Sequence, residues 1–304
     1  MQIVSVTLTQ LVNMFFFMSI GYVFRKKGIL DIHAGSALSR LIVNVFMPAM
    51  VVRSFAKNFT PDVFHDKLMI ILLSCVVLFV TAIGSVFLAR LFSKNHDTQG
   101  IYMYSFTIPN LGYMGYPLIG AIFGQSALLD AMVYCLPYNI YIYTIGMAVL
   151  TKQRSKSVLG LLTNPAIVAM LVGMVLGLCR VELPGVVSGI LDTADACVSP
   201  CAMILTGTVF ARIDVKSMFV SPKSYLASGI RLLGIPLLML GILKLLHVPP
   251  NWILPCVGIL AMPLGLNSVI FPEAYGGDAE SGARVCFMSA ILAVITIPIV
   301  FALL

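Results

Sequence analysis

Long apolar runs alternate with short polar or Gly/Pro-containing segments along the whole chain. A run of roughly 20 apolar residues lets a helix cross the hydrocarbon core of a bilayer. Ten such runs recur, at about 3–24, 34–55, 68–89, 99–123, 127–150, 157–179, 185–211, 224–246, 251–273 and 282–303. The pattern predicts an all-α polytopic membrane protein with ten transmembrane helices.

Composition supports a chain that lives in the lipid bilayer. Hydrophobic residues make up 60% of the sequence and charged residues 10%, with a mean hydropathy of +1.01, whereas charged residues make up about a quarter of an ordinary soluble domain. The first run is too long for a signal-peptide core and lacks its basic start and cleavage site, so we expect it to be retained as helix one. Ten spans leave no room for a soluble domain in 304 residues.

Basic residues predict the orientation of the helices. The formal charge of +7 comes from lysines and arginines scattered between the apolar runs, which argues against nucleic acid as a partner. With the N-terminus outside, 13 of the 19 fall on the cytoplasmic side, which predicts a multi-pass protein of the cell (inner) membrane with both termini on the non-cytoplasmic side. The seven cysteines follow no metal-ligand spacing, and we expect no metal and no cofactor.

Four landmarks of the first half recur in the second half in the same order, at spacings of 152 to 156 residues. They are Gly21 and Gly177, Pro48 and Pro200, Pro109 and Pro263, and Thr144 and Thr296. The spacing corresponds to five helices, and an odd number of helices inverts the second copy in the membrane. We therefore expect a 5+5 inverted repeat with halves 1–150 and 157–304, a plan typical of secondary transporters.

The fourth and ninth predicted helices are interrupted near their middles. Pro109 and Gly112 fall inside the fourth and Pro263 inside the ninth. Proline removes a backbone donor and glycine weakens a helix, so both helices should unwind there. Non-helical backbone at membrane depth persists only where protein buries it or where it lines a cavity. Paired breaks in inverted repeats indicate a substrate site, and a pair of structural kinks is the alternative.

An asparagine accompanies each break. Asn110 follows Pro109 directly, and Asn267 lies four residues after Pro263. The freed N-terminus of a half-helix offers N–H groups and a partial positive charge, and an amide adds donors without a permanent charge. We therefore predict an anionic or strongly polar substrate bound around Pro109, Asn110, Gly112, Pro263 and Asn267. Alternatively, each asparagine caps its broken helix.

Several stretches resemble the auxin efflux carrier family. PNLGYMGYPLIGAIFG (109–124) is similar to the fourth-helix motif of that family, and LSRLIVNVFMPAMVV (38–52) to its second-helix motif. TNPAIVAMLVGMVLG (163–177) resembles the sixth helix, and MPLGLNSVIFPEAYGGD with the later ITIP resembles the C-terminal pair. The resemblance covers essentially the whole chain in motif order.

The resemblance implies that helices four and nine cross at their breaks, as in sodium/proton antiporters and bile-acid symporters. Helices one, two, six and seven would form a scaffold that faces a mobile transport unit of helices three to five and eight to ten. The crossover asparagine that contacts the substrate carboxylate in plant members corresponds to Asn110. The short loop 151–156 is like that of bacterial members, several of which are linked to dicarboxylates such as malonate or malate.

Further polar residues lie within the predicted spans. Asp192 and Asp195 share one face of helix seven and are candidate proton carriers, or else lie solvated near the outer interface. Tyr138 and Asn139 in helix five and Asn44 in helix two are additional candidates for substrate contact.

One basic residue also falls inside a span. Arg231 lies about two turns into helix eight, where it could supply positive charge to an anion path. Arginine also snorkels, and we expect its guanidinium to reach the cytoplasmic interface.

These features together predict a secondary transporter of a small organic anion, such as a mono- or dicarboxylate, working by elevator-like alternating access. A sodium-coupled organic-anion symporter of the bile-acid type is the alternative, although neither break contains the carboxylate that a sodium site usually includes. A membrane enzyme or sensor is less favoured, because the spans show no nucleophile–base pair or metal-ligand set. The sequence leaves the substrate, the direction and the coupling ion undetermined, and it leaves a homodimer open.

Overall fold

The computed structural model of the protein describes residues 2–31, 33–62, 67–151, 165–212 and 222–304. Within these ranges the regular structure is entirely helical and forms twelve segments. In chain order they are α1 Gln2–Lys26, α2 Ala34–Lys57, α3 Leu68–Phe92, α4 His96–Thr107, α5 111–123, α6 Ser126–Leu150, α7 Pro165–Leu178, α8 Gly185–Phe210, α9 Pro222–Leu245, α10 Pro250–Leu260, α11 Asn267–Tyr275 and α12 Ala279–Phe301. The prediction of an all-helical chain is confirmed for the described residues.

Six of these helices are long and apolar enough to cross a membrane by length and composition, namely α2, α3, α6, α8, α9 and α12. Shorter apolar helices occur in α7 and α10. Residues 157–164, the start of the predicted sixth span, lie outside the described ranges. A multi-pass helical membrane protein is therefore confirmed, while the count of ten spans stays a prediction.

The helix boundaries follow local chemistry. α4 begins where the Asn95 side chain accepts a hydrogen bond of 2.9 Å from the Asp97 backbone N–H. It ends at Thr107 because the next residue, Ile108, precedes a proline and takes an extended conformation (φ −108°, ψ 114°). α5 and α6 are separated by Gly124, whose φ of 85° lies in the region that favours glycine.

Close glycine contacts hold together the four helices predicted as the scaffold. α1 packs on α8, and α2 packs on both α7 and α8. A side chain at Gly21 of α1 would overlap the Ile204 carbonyl oxygen of α8, and one at Gly177 of α7 would lie 2.7 Å from the Phe55 carbonyl oxygen of α2. Small residues let helix backbones approach this closely, as is typical of helix packing in membranes.

Candidate functional site

The two interrupted helices cross each other at their breaks. The first break, residues 108–110, separates α4 from α5, and the second, residues 261–266, separates α10 from α11. Pro109 and Leu264 form a short antiparallel β-bridge, and the Asn110 N–H donates to the Pro263 carbonyl oxygen at 2.8 Å. Each break thus satisfies backbone groups of the other, which membrane interiors require.

The second break is also fixed from behind by α12. The Leu264 N–H donates to Ser289 Oγ at 3.1 Å, and Cys286 Sγ lies 3.6 Å from the Leu264 carbonyl oxygen. One turn before Cys286, Gly282 packs so closely on α11 that a side chain there would overlap the Ser268 carbonyl oxygen. α12 therefore supports this break along more than one turn.

A cavity of about 250 Å³ lies between the crossing and the helices α2 and α8. The breaks and their neighbouring segments contribute Tyr104, Pro109, Asn110, Leu111, Gly112, Tyr116, Gly265, Leu266 and Asn267. α6 contributes Met132, Asn139, Ile142 and Tyr143, and α2 and α8 contribute the rest, including Arg53, Lys57, Asp195 and Ser199. Both breaks therefore face one cavity, with helices of the predicted scaffold opposite them.

Polar groups of the crossing line this cavity. Asn110 is 2% exposed and Asn267 is 9% exposed. The Asn267 Oδ1 atom has no hydrogen-bond partner among the described residues, and the Tyr104 hydroxyl faces the Asn267 side chain. An unsatisfied buried polar group costs about 1–3 kcal/mol. Such groups lining a cavity indicate a place for a polar ligand.

Charged side chains lie at the opposite wall. Among the described lining residues, Arg53 and Lys57 of α2 are cationic and Asp195 of α8 is anionic. Arg53 donates to Asp195 at 2.6 Å and also pairs with Asp192. The lining therefore carries one more positive than negative charge, next to neutral amides at the crossing.

The sequence matches the membrane transport protein family over residues 6–160 and 150–301. The chain belongs to the auxin efflux carrier family. It is also 23% identical over 291 residues to an uncharacterized transporter of Methanothermobacter thermautotrophicus (strain Delta H), a match that covers 92% of each chain. Membership of this auxin efflux carrier family identifies a membrane transport protein.

The remaining predicted site residues of this family member occupy different places. Asn139 lines the cavity beside Tyr116. Tyr138 is fully buried, its hydroxyl 3.3 Å from that of Tyr134, and lies outside the lining. Asn44 is exposed on α2 and donates to the Arg40 carbonyl oxygen at 2.7 Å. Their roles in substrate binding stay predictions, with Asn139 the best placed of the three.

The two aspartates also differ in position. Asp195 lines the cavity, whereas Asp192 is exposed and lies outside the lining. Both form ion pairs with Arg53 of α2. A role in proton transfer stays a prediction, and the geometry favours Asp195 over Asp192 for it.

The expectation that Arg231 snorkels is wrong. Its side chain is fully buried in a π-helical turn of α9, Ile230–Gly234, and faces Tyr134 and Tyr138 of α6. None of its three guanidinium nitrogens has a hydrogen-bond partner in the described part of the chain. α4 and α12 pack on this turn and enclose the side chain before it reaches an interface.

Proposed function

We propose that this protein is a secondary transporter of a small organic anion, a mono- or dicarboxylate, held at the crossing of the two broken helices. The observation that carries the proposal is the shared cavity, in which the amides of Asn110 and Asn267 face Arg53 and Lys57. Amide donors and the N-termini of α5 and α11 suit a carboxylate, and the cations attract it.

The cavity size supports a small substrate. Pockets for drug-sized ligands enclose about 300–1,000 Å³, and this one encloses about 250 Å³. A carboxylate of a few carbon atoms fits this volume, whereas a steroid-sized acid does not. The volume therefore argues against a bile-acid-like substrate for the conformation described.

An ion pair on the other side of the protein from the exposed Lys57 supports alternating access. The cavity is lined by the C-terminal half of α2, where Lys57 is exposed, and by the middle of α8. Just after the C-terminal end of α8, Arg212 Nη2 binds Glu273 Oε2 of α11 at 2.7 Å, and Gly35 near the start of α2 packs beside Glu273. In the proposed transporter this ion pair closes the side opposite to Lys57.

In the proposed cycle, the unit of α3–α6 and α9–α12 moves against α1, α2, α7 and α8 and carries the crossing with it. With both termini on the non-cytoplasmic side, the open end faces outward and the Arg212–Glu273 pair closes the cytoplasmic end. The anion binds at the crossing, and breaking the ion pair exposes it to the other side. The inverted repeat supplies two related arrangements of similar energy.

The test is uptake by purified protein in proteoliposomes. Radiolabelled malonate, malate, lactate and indole-3-acetate are offered with and without imposed proton and sodium gradients. For the substrate that the parent moves, Asn110→Ala should lower uptake by about tenfold or more, since it removes a hydrogen bond to a charged group. Asn251→Ala, which removes an exposed amide at the start of α10, is the control.

Two results would contradict the proposal. The first is transport by Asn110→Ala at the parent rate and equal abundance, which would remove this amide from the site. The second is the absence of uptake for every anion offered, with or without a gradient. Sodium-dependent uptake without a proton gradient would instead favour the sodium-coupled alternative.

A further inference from the structure

Arg53 of α2 is held by two aspartates of the facing helix α8. Its Nη1 donates to Asp195 Oδ2 at 2.6 Å, and its Nε donates to Asp192 Oδ1. The side chains of Arg53, Asp195 and Asp192 remain 41%, 28% and 52% exposed. Two carboxylates therefore accept hydrogen bonds from the Nε and Nη1 atoms of this guanidinium, and all three side chains are accessible to solvent.

The two carboxylates are not equivalent. Asp195 lines the cavity together with Arg53, and Tyr143 of α6 faces it from the transport side. Lys57 lies one turn along α2 from Arg53 and also lines the cavity. α1, α11 and α12 also pack on α8, yet no charged group from them acts on Asp195 in the described ranges. Asp195 thus stands between Arg53 and the space that a substrate would fill.

A substrate carboxylate in this cavity would compete with Asp195 for Arg53. Two carboxylates that share one site repel each other unless one of them is protonated. Protonation of Asp195 removes the competing charge and leaves Nη1 of Arg53 able to bind the anion. The pair with Asp192 through Nε would meanwhile keep the guanidinium in place.

We propose that Arg53 is an anion-binding residue which protonation of Asp195 releases to the substrate carboxylate, so that an anion and a proton occupy the site together. This inference rests on the proposed function and adds the proton as its coupling ion. A hydronium ion on the open side gives its proton to Asp195: one O–H bond of the hydronium breaks, one O–H bond forms on the carboxyl group, and a water molecule is left. For a monocarboxylate the added positive and negative charges cancel, so loading leaves the net charge of the cavity unchanged.

The test uses charged thiol reagents as probes and needs no known substrate. Ser199 lies one turn after Asp195 on α8 and lines the cavity, so Ser199→Cys places a thiol there. The full-length protein is treated between about pH 8 and about pH 5 with the anionic 2-sulfonatoethyl and the cationic 2-(trimethylammonium)ethyl methanethiosulfonates. Fragment-ion mass spectrometry, which separates position 199 from the native Cys197 and Cys201 on the same peptide, gives both rates. Their ratio cancels the titration of the thiol itself.

We expect the ratio of anionic to cationic reagent to rise about tenfold on acidification, because one negative charge leaves the cavity. Asp195→Asn should give a high ratio at every pH, and Arg53→Gln should give a lower ratio than the parent throughout. The control is Asp62→Asn, which breaks the exposed pair between Asp62 and Arg180 and should leave the titration intact.

We call the release of Arg53 by protonation of Asp195 the switch. It would be overturned if the ratio of the anionic to the cationic rate did not change with pH, or if it still changed with pH in Asp195→Asn. Asp195→Asn decides the matter even if Arg53→Gln fails to fold, because it leaves the arginine in place. A titrating ratio without uptake of any anion in proteoliposomes would support the switch and contradict the proposed function. Uptake with a ratio that does not titrate would contradict the switch alone.

Discussion

The two breaks cross at one point, yet they are supported differently. At the first break, Asn110 bonds through its backbone to the second break, and Gly112 is exposed to the cavity. At the second break, Leu264 is fully buried and its N–H is held by Ser289 of α12. The first break is therefore held by the second break, and the second break is itself anchored to the long helix α12.

The two breaks are similar in sequence, but this difference gives them different roles. A segment that presents donors to a ligand must leave some of its surface open, as the first break does around Gly112. A segment that holds the crossing in position must be packed on its other side, as the second break is against α12. Proline and glycine produce both breaks, and the neighbours determine which one is rigid.

The largest effect should come from the contact that anchors the second break. Gly282→Ala places a methyl group against the Ser268 carbonyl oxygen, a backbone atom that cannot move without shifting α11. We expect the free energy of unfolding, measured by denaturant titration in detergent micelles, to fall by about 3 kcal/mol. Gly241→Ala, at a position with no heavy atom within 4 Å, is the control and should be neutral or stabilising. Equal stability of the two variants would mean that α12 does not anchor the break.

A smaller loss should follow from removing the side-chain acceptor at the same break. Ser289→Ala leaves the buried Leu264 N–H without its acceptor, which should lower the free energy of unfolding by about 2 kcal/mol. Thr193→Ala is the control, because the exposed Thr193 hydroxyl donates to the Gly189 carbonyl oxygen of its own helix. A loss no greater than that of the control would show that water or a neighbouring group replaces Ser289.

The sequence predicts the positions of both breaks because proline and glycine act locally, through a missing donor and a weakened helix. It does not predict their unequal support. The contact between Leu264 and Ser289 joins residues that are 25 apart in the sequence. The residues around Ser289 do not distinguish it from other serines in apolar runs. Such a contact depends on how the helices pack, which periodicity does not specify.

Truncation of the second amide should separate ligand binding from helix capping. Asn267 Oδ1 has no partner in the described part of the chain, so Asn267→Ala removes no internal hydrogen bond at that atom. We expect unchanged or slightly higher stability and an affinity for the transported anion about fivefold weaker, a smaller loss than for Asn110→Ala. Equilibrium binding and denaturant titration on the same preparations measure both quantities. Lower stability with unchanged affinity would favour the cap.

The charged residues of the site illustrate a second limit of sequence reasoning. Asp192 and Asp195 stand out because they share a helix face, but their partner Arg53 lies 139 and 142 residues away. Near the end of an apolar run, Arg53 has the pattern of a residue that orients a helix at the interface. Arg231 is the converse case: its position inside an apolar run can be predicted from the sequence, but its enclosure by α4 and α12 cannot.

The smallest effects should come from adding one methyl group just after the first break, at Gly112 of α5, and one within the second break, at Gly265. A Cβ at Gly112 meets no heavy atom within 4 Å, whereas a Cβ at Gly265 would lie 3.3 Å from the Pro109 carbonyl oxygen, so the crossing would open by a few tenths of an ångström. Gly112→Ala should therefore keep the free energy of unfolding within about 0.5 kcal/mol and reduce uptake by narrowing the cavity, more for a dicarboxylate than for a monocarboxylate. Gly265→Ala should lower stability by about 1 kcal/mol and reduce uptake of both alike. If Gly112→Ala proved as destabilising as Gly265→Ala, the first break would be as tightly packed as the second, and the division of work between them would not hold.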